Sequence, residues 1–141
     1  GNFLFGWAKP TPVNPSNFRN RRNDEVLVAL AGPASNLVMA VVGALVVRVV
    51  VALQIDLPPY GQAILMNFVF FNVMLAVFNL IPVPPLDGST LLFRFISPHL
   101  AWQIRPFLAQ YGMFIVIGVV LLGGTLLYSI MIGVTRFLVG A

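Results

Sequence analysis

The 141-residue sequence is 59% hydrophobic and 9% charged, against roughly 45–50% and about 25% in ordinary soluble domains, so a soluble fold of this length could not hide its apolar surface and lipid is its natural solvent. The net charge of +4 comes from eight Lys and Arg against four acids, and without a basic cluster interleaved with exposed aromatics it describes membrane topology and lipid headgroup contact rather than nucleic acid. Zero cysteines exclude disulfides, thiolate zinc sites and cysteine nucleophiles.

The expectation is an all-α integral membrane protein, one domain over 1–141, with three transmembrane helices. The chain opens at Gly1 with no initiator methionine, basic n-region or cleavage signal, and reads as an excerpt from a longer polypeptide. Residues 1–25 read as an irregular or short β-like loop near the interface, since Phe3, Phe5 and Trp7 alternate and Pro10, Pro12 and Pro15 forbid a regular helix. Arg19, Arg21 and Arg22 then form a solvated flank to the first span.

That span is placed at 26–53. No charge falls in the 22 positions from Val26 to Val47, enough for one crossing at about 20 residues, and Arg48 at the far end can snorkel. Gly32, Asn36, Ala40 and Ala44 recur every fourth residue and form a ridge of small side chains that should face other helices. Gly32-Pro33 is expected to bend or restart the helix. On its own, Asn36 reads as interhelical glue.

Gln54 to Gln62 is a polar turn with Asp56, Pro58, Pro59 and Gly61. The second span is placed at 63–81, uncharged over 19 positions, with Asn72 and Asn79 on one face as a polar stripe or as hydrogen-bonded packing. It ends at Pro82, because three prolines within 82–85 cannot continue a helix. Residues 82–106 read as a proline-broken loop followed by two short interfacial helices, one after Asp87 and one ending before Pro106. Broken backbone and a carboxylate at membrane depth need a protein cavity or water, so Asp87 is a functional-site candidate. Asp87-Gly-Ser-Thr is also a good N-cap pattern, in which the carboxylate accepts the free N–H groups of the next turn; taken without context the cap is the favoured reading, and the two roles can coexist. His99, the one histidine, makes no metal site by itself.

The last span is placed at 107–137. It is uncharged over the 29 positions from Phe107 to Thr135, which implies tilt or bending, and Thr125, Ser129 and Gly133 form a second small ridge. Arg19, Arg21 and Arg22 precede the first span, Arg94 and Arg105 follow the second, and the turn between them holds Asp56 without Lys or Arg. By the positive-inside rule the Asp87 segment faces the cytoplasm; Arg136 dissents mildly.

Ala31-Gly32-Pro33-Ala34-Ser35-Asn36 resembles the G-P-x-x-N signature of the site-2 proteases, intramembrane zinc metalloproteases, and Asn79 to Gly88 resembles their N-x-x-P-x-P-P-x-D-G segment. Phe5 to Pro10 with Pro12 to Pro15 is similar to the loop that follows the metal-binding helix in bacterial members. Each motif is weak alone, and both in order on consecutive spans are specific. The resemblance implies that Asp87 is the third zinc ligand, that Asn36 positions the substrate carbonyl or stabilises its oxyanion, and that Asn79 supports the site. It makes Gly32, Pro33, Pro82, Pro85 and Gly88 the backbone of the two motifs. It further implies zinc as cofactor in the complete protein, a transmembrane protein substrate, and a bacterial inner membrane location.

The sequence departs from the family pattern in lacking H-E-x-x-H, the helix whose histidines bind zinc and whose glutamate activates water. The excerpt is therefore expected to begin after that helix, with the parent an enzyme and the isolated chain inactive. A non-catalytic scaffold related to these proteases, and more distantly a small transporter subunit using a broken helix, stay open beside that reading.

Overall fold

The computed structural model describes residues 21–140, with side chains from Asn23; the loop expected over 1–20 lies outside the described residues. Four helices follow one another: α1 (Arg21–Ala52), α2 (Pro59–Asn79), α3 (Gly88–Phe95) and α4 (Pro98–Val139). No strand occurs among the described residues. α1, α2 and α4 are each long and apolar enough to cross a membrane.

α1 starts earlier than the expected 26, because Arg21 to Glu25 are helical, and it runs without interruption through Pro33. Pro33 is buried, so the missing N–H costs one intrahelical bond while its ring packs inside the protein. Ser35 donates its hydroxyl to the Ala31 carbonyl at 2.7 Å, occupying one acceptor in that turn. The turn between α1 and α2 is closed by Leu53 and Ile55 N–H groups donating to Val49 and Val50, with Gln54 in the left-handed region at φ 52°. α2 begins at Pro59, four residues before the expected boundary, where proline's missing donor is harmless at the first helical position.

The small ridge of α1 meets α2. Ala40 and Ala44 are sealed against Val69 and Val73, with Val47 of α1 and Met131 of α4 completing the cluster. Lipid tails are as apolar as these side chains, so the contact is held by close packing and dispersion rather than by transfer from water. Asn72, buried on the same face of α2, donates its Nδ2 to the Phe68 carbonyl at 2.8 Å. Its amide is thus committed to its own helix, the hydrogen-bonded packing that was one of its two readings. Phe70 stacks edge-on to Tyr128 at 6.2 Å, tying α2 to α4.

α4 corrects the expectation of a second short helix ending before Pro106. Pro106 lies inside one helix of 42 residues, about 63 Å at about 1.5 Å per residue, twice the roughly 30 Å of hydrocarbon. Its start is capped by Ser97, whose hydroxyl oxygen accepts from the Leu100 N–H at 3.3 Å. Its far end is held by α1: the Arg48 guanidinium donates to the Phe137 carbonyl at 3.0 Å and stands beside Gly140. A cation there also complements the helix dipole. The second small ridge does not pack: Thr125, Ser129 and Gly133 are exposed, and Ser129 donates to the Thr125 carbonyl. α4 is buried instead at Gly112, Val116, Met131 and Thr135.

Because Ala40 is fully enclosed, Ala40→Leu should overpack the α1–α2 contact and cost about 1–3 kcal/mol. Val42→Leu, at a position 55% exposed, should stay within about 0.5 kcal/mol. Denaturant titration of helicity in mixed micelles reads the difference, and equal effects would contradict the packing.

Candidate functional site

The site is built from the end of α2 to the start of α3. After Asn79 the chain turns tightly on itself: Ile81 N–H donates to the Phe78 carbonyl, Val83 to Ile81, Leu86 to Val83 and Ser89 to Leu86. The Ser89 hydroxyl donates to the Leu86 carbonyl as well, at 2.7 Å. The prolines offer no donors, so these few N–H groups carry the loop's backbone pairing.

Two glycines make the loop compact. Gly88 is buried, and a Cβ there would collide with the carbonyl groups of Leu80 and Ile81. Gly112, on α4, is buried too, and a Cβ there would collide with the Pro84 carbonyl oxygen. Backbone therefore packs directly on backbone at both places. The first contact closes the loop; the second seats it on α4.

Closure brings Asp87 to the other motif. Its Oδ2 lies 3.1 Å from where a Cβ on Gly32 would stand, so the carboxylate rests against the open backbone of α1 at the first residue of G-P-x-x-N. The expected N-cap role is not what the side chain does. Asp87 is helical at φ −60°, ψ −31°, and its carboxylate accepts no bond from α3; the Thr90 N–H goes to the Asp87 main-chain carbonyl at 3.0 Å instead.

Asn36 is one helical turn beyond Gly32, about 6 Å along the axis on the same face, and half-buried. Asn79 is the last residue of α2 and also half-buried, one residue before the carbonyl that meets Gly88. Neither amide, nor the Asp87 carboxylate, is engaged in a hydrogen bond among the described residues. Pro33 is buried beside Gly32, whereas Pro82 and Pro85 lie on the exposed side of the loop. His99 pairs with Gln103 at 3.1 Å in the first turns of α4. Gly112 was not singled out in the sequence, where it resembles four other α4 glycines whose positions have open space around them.

Catalytic zinc takes about three protein ligands. Among the described residues no group of three or more His, Cys, Asp or Glu could hold a metal, and Asp87 is a single uncommitted carboxylate. The donor chemistry fits one ligand of a site whose other ligands are not in these residues.

A helical membrane protein with a proline-broken loop, an aspartate delivered onto a G-P-x-x-N helix, and three apolar spans is the class that these features define. The sequence profile of Peptidase family M50 matches residues 59–123, from the start of α2 through the loop and into α4. "Putative zinc metalloprotease YwhC" of Bacillus subtilis is 33% identical over 90% of this chain and 60% of its own length. "Putative zinc metalloprotease sll0528" of Synechocystis is 43% identical over 55% of this chain and 18% of its own. No solved structure matches. The chain belongs to peptidase family M50, the site-2 protease family. It is an integral membrane protein, and the proteases of its family are zinc-dependent. It spans about 60% of the length of YwhC.

The two α4 glycine environments predict opposite signs. Gly112→Ala should destabilise the fold, since the displaced atom is a main-chain carbonyl, whereas Gly118→Ala, with nothing within 4 Å, should be neutral or gain up to about 1 kcal/mol in helix propensity. Thermal unfolding in detergent checks the pair. Equal responses would show that α4 does not hold the loop.

Proposed function

We propose that this chain forms part of an intramembrane zinc metalloprotease that hydrolyses peptide bonds in transmembrane protein substrates, with Asp87 as a zinc ligand. The observation that carries the reading is the Asp87 carboxylate, uncapped and set against Gly32. A half-buried carboxylate that accepts no bond from the helix it precedes is available as an oxygen donor to a cation.

When bound, zinc supplies Lewis acidity toward a carbonyl and lowers the pKa of water. The chain's own residues hold and orient. Asp87 offers one oxygen donor on a loop whose backbone is fixed by Gly88 and Gly112. Asn36 offers an amide N–H that can donate to the oxyanion formed as the peptide carbonyl becomes tetrahedral. Asn79 supports the loop at its entry. The substrate helix must unwind locally, since an intact helix hides its carbonyls in hydrogen bonds. The remaining ligands and the general base come from outside these 141 residues, in keeping with the greater length of YwhC. The bacterial relatives and the arginines at the Asp87 end support a bacterial inner membrane with that end toward the cytoplasm.

In the complete protein containing this chain, Asp87→Ala should abolish zinc retention and cleavage of a membrane reporter together. Asn36→Ala should keep zinc and lose about 10²–10³ in rate, the usual effect of removing one oxyanion donor. Full activity in Asp87→Ala would overturn the ligand assignment. Zinc loss in Asn36→Ala would move Asn36 from chemistry to scaffolding, and a zinc-loaded protein that cleaves nothing would favour the non-catalytic scaffold.

A further inference from the structure

A groove of about 600 Å³ lies between the start of α1, α3 and the first turns of α4, within the roughly 300–1,000 Å³ usual for ligand sites. Neither Asp87 nor Gly32 lines it, and the reaction proposed above does not use it. Its polar end carries Arg94 and Arg105 with Glu25, and its apolar end carries Val26 and Ala109. On α4, Arg105 is followed toward the middle of the span by Pro106 and Ala109, while Pro98, Ala101 and Trp102 line the groove nearer the helix start; on α1, Glu25 is followed by Val26. An amphiphile with its head at the arginines and its tail along the spans matches this gradient.

The arginines are arranged differently from simple topogenic charges. Arg105 is stacked over the Phe93 ring with 4.8 Å from guanidinium carbon to centroid. This holds a planar donor fork against the wall. Arg94 reaches from α3 to the Asn23 side chain of α1 across the groove, at 3.5 Å. Trp102, 78% exposed, is also on the lining, the residue type that settles at headgroup level. The length of α4 places this end correctly. The uncharged 29 positions from Phe107 to Thr135 already exceed the hydrocarbon thickness at about 1.5 Å per residue, so Pro98 to Arg105 stands in the headgroup layer.

We propose that this groove is a binding site for an anionic phospholipid, its phosphodiester held between Arg94 and Arg105 and one acyl chain along Val26, Pro106 and Ala109. Two guanidiniums against the single Glu25 carboxylate leave the groove net positive, which favours an anionic over a zwitterionic headgroup. The small headgroup and attached tail match a pocket that is charged at one end and apolar at the other, which an acidic soluble peptide would not fill.

The test is Trp102 fluorescence in a Trp7→Phe variant, reconstituted in phosphatidylcholine and titrated with phosphatidylglycerol, either lipid brominated on its acyl chains as quencher. Phosphatidylglycerol should quench preferentially, and each of Arg94→Gln and Arg105→Gln should lower that preference about fivefold, the worth of one basic residue at an anionic surface. Arg94→Lys and Arg105→Lys should restore most of it, because phosphate accepts a point charge, and Arg136→Gln at the opposite end should leave it unchanged. Unaltered helicity by circular dichroism separates loss of the site from loss of the fold. Equal quenching by the two lipids, a preference that survives both Gln substitutions, or an equal loss in Arg136→Gln would overturn the assignment. So would a soluble acidic peptide that shields Trp102 from both brominated lipids alike, which would make the groove a peptide site.

Discussion

Three prolines in four positions stop a transmembrane helix and remove the amides that would have paired its last carbonyls. Water cannot settle that account in hydrocarbon, so the freed backbone has to be turned inward or covered by protein. The chain does both. Successive tight turns from Ile81 to Ser89 use the N–H groups of Ile81, Val83, Leu86 and Ser89. Main chain at Gly88 and Gly112 then covers the carbonyls of Leu80, Ile81 and Pro84 with no side chain between. The rest of the site depends on this enclosure, because it decides where the loop's one carboxylate emerges.

It emerges against Gly32. The ridge of small residues on α1 that lets α2 approach at Ala40 and Ala44 continues to Gly32, so one feature of α1 serves two purposes along its length. At the middle it buys close helix packing, and at the end it leaves bare backbone for Asp87 to rest on. Asn36 stands between the two regions, half-buried, with its amide uncommitted among the described residues. α4 contributes from the other side, clamping the loop at Gly112 and anchored at its far end by Arg48.

Much of the architecture was legible because hydropathy, proline and small-residue spacing act locally. Uncharged runs mark the spans, and the Pro82–Pro85 break ends α2 where a missing N–H must. The α1 ridge was legible for the same reason, since four-residue spacing is a property of any helix. Pro106 misled because a proline in a long helix only bends it when the surrounding turns are otherwise stable, and Ser97 caps α4 upstream of it. The N-cap pattern at Asp87 misled because a cap is a competition, and here the backbone turn takes the Thr90 N–H first. Gly112 carried no sequence signal at all: five α4 glycines look alike until the loop arrives beside one of them. The ridge at Thr125, Ser129 and Gly133 has helical spacing but no helix of this chain against it.

The contact between Asp87 and Gly32 is the central claim, and a cysteine-free chain permits a direct measurement of it. With cysteines introduced as Gly32→Cys and Asp87→Cys, mild oxidation in membranes should form an intramolecular disulfide, since the Asp87 side chain ends 3.1 Å from the Gly32 Cβ position and a disulfide needs such close neighbours. Asp87→Cys with Val38→Cys, on the exposed face of α1, should remain reduced. Efficient cross-linking of the first pair alone is the result expected. Cross-linking of neither pair, or of both alike, would place the loop elsewhere and contradict the site.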